Sequence, residues 1–314
     1  MPTVTLGPAG GPPEIFPIIG TGFVLDDGLV LTNAHVIDAL LRLPKPLDWP
    51  NDRLAFAAVL FHRIDPVQYP NSPVAGYAQV PLHILGILRT GEVELNPGGF
   101  YYGPRKPDFN AVRVKMRGLP KLELATDSGS LREGVEVGTI GFPMGRDALM
   151  APGWLHQLSP FLQRGVISAV LPFPCPTPHS FVINVMSIGG ASGSPVFLAD
   201  SPKVIGILNS GLVNNVATLA AAEDGVAAIG VTALSTNFSY VVPSFWMSGL
   251  AETVRSTPSL SLPDDTPELD EVVKKASFTM AKAPGHNEEA QPKEVLFEGQ
   301  DPTKIRIEIK PTTI

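Results

Sequence analysis

The feature that most constrains this chain is the shortness of its apolar runs. Over the first 250 residues they rarely exceed strand length, and turn residues separate them almost everywhere. The runs 18–25 and 29–32 flank Asp26-Asp27-Gly28, a hairpin signal. The runs 54–61, 80–88, 111–116, 135–141, 165–171, 181–185, 196–198 and 204–209 have the length and composition of strands. About a dozen short strands without helical patterns between them predict an all-β chain, a barrel or a sandwich. Composition agrees. The 33 prolines are about twice the usual ~5% share, and charged residues make up 17% against the usual ~25%. Such a chain is a poor candidate for a helical bundle or coiled coil. One helix is expected at the end of the body, where Ser244 can cap and Phe245, Leu250 and Val254 share a face. With 314 residues the chain can bury a full core without disulfides, as one large β domain or two ordinary ones.

Charge excludes further classes. The formal net charge is −7, against the clustered basic surface that nucleic-acid binding needs. A single cysteine, Cys175, rules out an internal disulfide and fits a reducing compartment. No basic and apolar leader opens the sequence, and no apolar run reaches the ~20 residues that span a bilayer. The expectation is a soluble cytoplasmic protein that binds neither nucleic acid nor membrane. The six histidines show no ligand spacing, so no metal or other cofactor is expected.

Charge density also divides the chain. Residues 251–314 hold 12 acidic and 8 basic side chains in 64 positions, whereas the first 250 residues hold the remaining 33. The expected division is a β-rich body over 1–256 and a charged, proline-containing tail over 257–314. Residues 257–292 have little aliphatic content and are expected to form a flexible tether. At its end, Lys304-Ile305-Arg306-Ile307-Glu308-Ile309-Lys310 alternates strictly and predicts a strand. That strand would dock on the chain's own barrel or add to the sheet of a partner or activator.

Two segments carry chemistry. In Thr32-Asn33-Ala34-His35-Val36 a histidine follows directly on a strand and hairpin. In Gly189-Gly190-Ala191-Ser192-Gly193-Ser194-Pro195 a serine lies among small residues just before another strand. Nucleophilic catalysis needs a hydroxyl on a tight turn, with backbone N–H groups free to face a developing oxyanion. Small neighbours permit that turn at Ser192, and His35 can supply the general base. Either residue alone is a weak signal; the two together, each set against a strand, are far more specific.

In these segments the chain resembles chymotrypsin-fold serine proteases, in particular the HtrA-like (Deg-type) branch. The resemblance runs from about residue 20 to residue 254. It includes the linking segments Leu124-Ala125-Thr126-Asp127-Ser128, Ile140-Gly141-Phe142-Pro143, Gly165-Val166-Ile167-Ser168 and Val204-Ile205-Gly206-Ile207. It implies two six-stranded antiparallel β-barrels, a closing C-terminal helix, and an active site in the cleft between the barrels. The implied nucleophile is Ser192, the base His35, and the oxyanion hole the N–H groups of Gly190 and Ser192. Protein or peptide would be the substrate. No PDZ-like domain is expected in the tail, which is short and polar.

The acid of the triad is less direct. The family places it two residues before an alanine that opens an apolar strand; here that position is Phe109, and the nearest aspartate is Asp108. A one-residue bulge at Phe109-Asn110 would restore the geometry. The alternatives are a triad degraded at this position, leaving a binding module, and Asp65 as the acid. A serine esterase uses the same acyl chemistry and remains a third reading.

Two departures bear on mechanism. The residue before the nucleophile is Ala191, which cannot form the ion pair that switches on zymogen-activated relatives. The segment Val185-Met186-Ser187-Ile188 has no acid to receive a basic side chain, and an unpaired charge there would be costly. The expected substrate slot has Ser187, Ile188, Asn209, Ser210 and Gly211 as walls, with Ile188 as an apolar base. It would accept small or medium apolar residues. The 72 residues between His35 and Asp108 hold seven prolines from Pro44 to Pro81 and are expected to decorate the first barrel or shape access. Cys175, within Pro174-Cys175-Pro176, is expected to be inert.

Overall fold

A computed structural model describes residues 3–8, 18–43, 56–64, 76–92, 103–143, 160–221 and 227–275. Thirteen described strands form two sheets. The first has the order β5-β4-β1-β2-β3-β7-β6 and uses Thr3–Pro8 (β1), Gly20–Asp26 (β2), Leu29–Thr32 (β3), Phe56–Ile64 (β4), Gly76–Leu82 (β5), Ile84–Arg89 (β6) and Asn110–Val114 (β7). The second is a closed six-stranded barrel of Glu136–Gly141 (β8), Phe161–Leu171 (β9), Ser180–Ile183 (β10), Pro195–Leu198 (β11), Val204–Ala221 (β12) and Ala227–Pro243 (β13). All pairings between named strands are antiparallel.

The all-β expectation holds; of the two six-stranded barrels expected, the second is a closed barrel of six strands, whereas the first half is a seven-stranded sheet. The additional strand pairing comes from the long insert. Its described part supplies β4 and β5, which extend the sheet beyond β1, and β6, which covers β7 at the other edge. Pro81 lies in β5 opposite Val59; the other prolines singled out in the insert, and Asp65, lie outside the described residues.

The β2–β3 hairpin turns at Gly28, whose φ is +61° and whose missing Cβ would sit 2.5 Å from the Val114 carbonyl oxygen. After β3 the chain enters a short helix, Ala34–Leu41 (α1), which buries Val36, Ile37 and Leu40. Those residues share a face at helical spacing, and His35 lies off that face and stays exposed. The sheets meet through a shared apolar core. Phe23, Leu31 and Phe109 of the first half pack with Val204, Ile207 and Val242 of the barrel.

At the end of the body, the chain makes a 3-10 turn over Ser244–Met247 and then the helix Leu250–Ser256 (α2). Ser244 does not cap it: its hydroxyl donates to the Ala125 carbonyl at 2.7 Å, tying the helix entrance to the inter-sheet segment.

The tether expected over 257–292 differs from the structure in its first part. Residues 257–275 are ordered against the first sheet and end in the helix Leu269–Lys275 (α3). The reason is a pair of side chains four residues apart. Leu269 and Val273 lie on one face of α3 and are buried in the first-sheet core, at 3% and 1% exposure. Backbone bonds add to this: Arg117 N–H donates to Pro267 O at 2.9 Å, and Leu269 N–H to Arg117 O at 3.0 Å. The rest of the tether and the strand expected over 304–310 lie outside the described residues.

Candidate active site

His35 occupies the first turn of α1, immediately after β3. Its Nδ1 lies 2.6 Å from Asp108 Oδ2, and its backbone N–H donates to Asp108 Oδ1 at 3.0 Å. Both carboxylate oxygens therefore hold the same residue, one at the ring and one at the main chain. An acceptor at Nδ1 places the ring proton there and leaves Nε2 as the free acceptor. Asn33 braces the pair from behind, donating from Nδ2 to the Asp108 carbonyl at 2.8 Å.

The expected bulge at Phe109-Asn110 is absent. Strand β7 begins at Asn110 in regular register with Thr32 on one side and Arg89 on the other. A tight turn does the work instead: Phe109 N–H donates back to the Pro107 carbonyl at 2.9 Å. Phe109 goes into the shared core, 5% exposed, while Asp108 is directed to His35.

Ser192 sits on the loop between β10 and β11. The turn Ile188–Ala191 is closed by an Ala191 N–H bond to the Ile188 carbonyl at 3.1 Å, with Gly190 at φ +97°. A positive φ at the third residue of such a turn requires glycine in practice. Gly193 follows at φ +91°, and a Cβ there would meet the Thr21 carbonyl oxygen at 1.9 Å. The N–H groups of Gly190 and Ser192 donate to no partner among the described residues. The Ser192 hydroxyl donates to the Asn209 carbonyl at 2.7 Å, and His35 Nε2 has no partner among the described residues.

Two residues of the first sheet bring the halves together, and sequence reading assigned neither a role. Thr21 N–H donates to the Ser192 carbonyl at 2.8 Å. The Thr21 hydroxyl donates to the Gly190 carbonyl at 2.7 Å, and its own carbonyl accepts the Thr32 hydroxyl at 2.7 Å. Thr32 ends the strand from which α1 and His35 begin, so the serine loop is fastened to the root of the histidine helix. The available signal was Thr21 standing between Gly20 and Gly22, two positions where a Cβ would clash with Val36 and with Leu31 O.

The expected slot walls are placed unequally. Gly211 and Ser187 face each other closely; a Cβ at Gly211 would lie 2.7 Å from the Ser187 carbonyl oxygen. Ser187 is buried, and Asn209 reaches Ser192 through its carbonyl. Ser210 follows on β12 opposite Tyr240. Ile188 departs from expectation. It keeps 44% of its surface exposed, as a residue on the outside of the turn rather than the floor of a slot. Ile188 opens the turn, and it is its carbonyl, accepting the Ala191 N–H, that takes part in the turn rather than its side chain.

An imidazole held by a carboxylate, a serine on a glycine turn and two unpaired N–H groups form a set suited to acyl transfer. The sequence profile of the trypsin-like peptidase domain matches residues 20–207, more than half of the chain. The chain belongs to the trypsin-like peptidase family. As a member it is a serine endopeptidase of the chymotrypsin fold, and its substrates are proteins or peptides. No curated protein matches the sequence. Solved structures similar to it include Deg5, with a TM-score of 0.38, 18% identity, and coverage of 82% of this chain and 87% of that one. Another is neuropsin, a serine protease expressed in the limbic system of mouse brain. It has a TM-score of 0.46, 12% identity, and coverage of 81% of this chain and 94% of that one. No helix among the described residues of this trypsin-like peptidase is long and apolar enough to cross a membrane.

Proposed function

We propose that this peptidase cleaves peptide bonds through His35, Asp108 and Ser192, by way of an acyl-enzyme. The observation that carries the reading is the double hold of Asp108 on His35, at Nδ1 and at the backbone N–H. It fixes both the tautomer and the ring direction, which is what the acid of a triad supplies. Nε2 of His35 takes the Ser192 proton as Oγ attacks the scissile carbonyl. The oxyanion that forms receives the N–H groups of Gly190 and Ser192. The protonated His35 then gives its proton to the leaving amine, and water repeats the sequence on the acyl-enzyme.

In the resting arrangement the Ser192 hydroxyl rests on the Asn209 carbonyl. A rotation about its Cα–Cβ bond must release it toward His35, and substrate-free sites commonly hold looser hydrogen bonds than the complex does. The close approach of Gly211 to Ser187 favours small apolar side chains at the cleaved residue, and the absence of an acid in 185–188 disfavours lysine and arginine.

A fluorophosphonate probe tests nucleophile, base and oxyanion donors together. It should label the wild-type chain at Ser192, and Ser192→Ala should lose labelling together with turnover of an unfolded protein substrate. Retained turnover in that variant would remove Ser192 from the mechanism. Faster turnover of esters than of matched peptides by the wild type would favour the esterase reading. A peptide-library profile dominated by Lys, Arg, Asp or Glu at the cleaved position would overturn the specificity.

A further inference from the structure

We infer that Thr21 is the positioning residue that holds the oxyanion-binding loop in its working shape, in place of the ion pair that Ala191 cannot make. The inference rests on the reading of Gly190 and Ser192 as oxyanion donors. Thr21 lies 169 residues before Gly190 in sequence and is fully buried. It touches the loop at two alternate carbonyls, those of the same two residues whose N–H groups are the proposed donors. Its hydroxyl donates to Gly190 O at 2.7 Å, and its N–H donates to Ser192 O at 2.8 Å.

Each contact sets the direction of one peptide group. The Gly190 carbonyl belongs to the peptide joining Gly190 to Ala191, so its orientation constrains ψ of Gly190. The Ser192 carbonyl does the same for the peptide after the nucleophile. The N–H groups of Gly190 and Ser192 belong to the peptides that precede these residues, so Thr21 acts on them by fixing the peptide that follows each one, without itself touching substrate. The threonine is itself constrained. Its hydroxyl oxygen lies 3.3 Å from the Phe142 N–H, which donates to it, and its carbonyl accepts the Thr32 hydroxyl. Inside the loop, Ser194 Oγ donates to the Ala191 carbonyl at 2.6 Å. The carbonyls of Gly190, Ala191 and Ser192 are therefore all occupied, and none of the three needs a charge to hold it.

The arrangement also explains why the clamp is a hydroxyl. A β-branched residue at 21 is stiff about its first side-chain bond, so the donor is aimed without further support. The residue is fully buried, so removing the hydroxyl leaves the Gly190 carbonyl and the Phe142 N–H without their partner.

The test uses the full chain with Thr21→Val, which keeps the shape and removes the hydroxyl, and Thr21→Ser, which restores it. Three quantities are measured. They are kcat and KM on a peptide substrate, affinity for a peptide aldehyde that forms a tetrahedral adduct on Ser192, and amide exchange over 188–194. Thr21→Val should lower kcat about 10–100-fold with KM within about twofold, below the ~100–1,000-fold cost of deleting an oxyanion donor outright. Aldehyde affinity should fall by a similar factor, and exchange over 188–194 should rise. Thr21→Ser should recover most of each. If Thr21→Val folds with kcat, aldehyde affinity and exchange near wild type, the inference is wrong. It is equally wrong if Thr21→Ser is as impaired as Thr21→Val, because the effect would then be one of packing. Failure of the underlying triad reading looks different: the wild type itself would neither label nor turn over. The exchange measurement still decides whether Thr21 orders the loop.

Discussion

The two sheets deliver their parts of the proposed active site by different means. The first sheet is an open order of seven strands and presents side chains: His35 from the first turn of a helix, and Asp108 from a turn before β7. Side chains hold them in turn, with Asn33 on the Asp108 carbonyl. The barrel closes on itself and presents backbone: the N–H groups of Gly190 and Ser192, which have no partner among the described residues, and a serine whose position follows from the glycine turn. An open sheet has edges and an uncovered face to manage, a closed barrel has none. The difference accounts for where the rest of the chain goes. The helix α3 returns to the first sheet and buries Leu269 and Val273 there, beside Val112, Val114 and Met116 in the same core. Nothing comparable is needed by the barrel, whose interior is filled by its own strands and the adjoining segments, with Ile167, Phe181, Ile183 and Ile205 among the most buried residues.

The largest expected effect falls on the side-chain half of the site. Asp108→Asn keeps the shape and should lower kcat by about 10⁴-fold, because an amide at that position permits the wrong imidazole tautomer. The thermal midpoint should change little. A kcat within tenfold of wild type, measured on enzyme freed of wild-type contamination, would mean that Asp108 is only a structural partner of α1.

Next in size is the dependence of the open sheet on its cover. Leu269→Ala should cost about 2–5 kcal/mol by removing a buried leucine from the first-sheet core. Hydrogen exchange should accelerate in β7 and α1 more than in β8 and β9, while specific activity of the folded fraction stays near wild type. Equal loosening of both regions would show that the two sheets unfold as one unit and that the contrast drawn between them is only geometric.

The smallest effect concerns how the end of the body is tied to the first sheet. Asp26, at the end of β2, meets Lys121 at 2.8 Å and Arg255 of α2 at 2.8 Å. Partial burial by itself would raise its pKa; hydrogen bonds from Lys121 and Arg255 outweigh this and hold it below the ordinary 3.8. A folded pKa below the unfolded one stabilises the charged, folded form. The contribution is present above about pH 3.8 and is lost as pH falls through the lower folded value. Asp26→Asn should therefore flatten part of the acid slope of the thermal midpoint below pH 4 and leave the midpoint near pH 7 slightly lower. An unchanged acid slope would mean that the cluster is too well solvated to matter.

How much of this was legible in the sequence differs by residue. His35 and Ser192 were legible because their surroundings are local: small residues permit the turn around Ser192, and the strand before His35 shows its own periodicity. Nine of the strands were visible as apolar runs, but β1 and β13 were not, and the run over 80–88 divides into β5 and β6 around His83. Nor was the length of β12. The Ala-rich run near residue 217 reads as neither strand nor helix, since alanine favours helices and is depleted in strands. It becomes strand only because each residue finds a partner across the hairpin, such as Ala217 opposite Val231. The tail was misjudged for a related reason: two aliphatic residues four apart are a faint signal until a core is there to receive them.

The sequence alone therefore determined the fold class and singled out His35 and Ser192 as the proposed base and nucleophile, because each of these rests on residues within a few positions of one another. Tertiary structure decided the choices between distant partners. It placed Asp108 on His35 by a turn at Pro107 rather than a bulge, and it set Thr21 under the serine loop. A hydrogen bond acts over about 3 Å, whereas these partners stand 73 and 169 residues apart. No local pattern records such a meeting; it exists only once the sheets have packed.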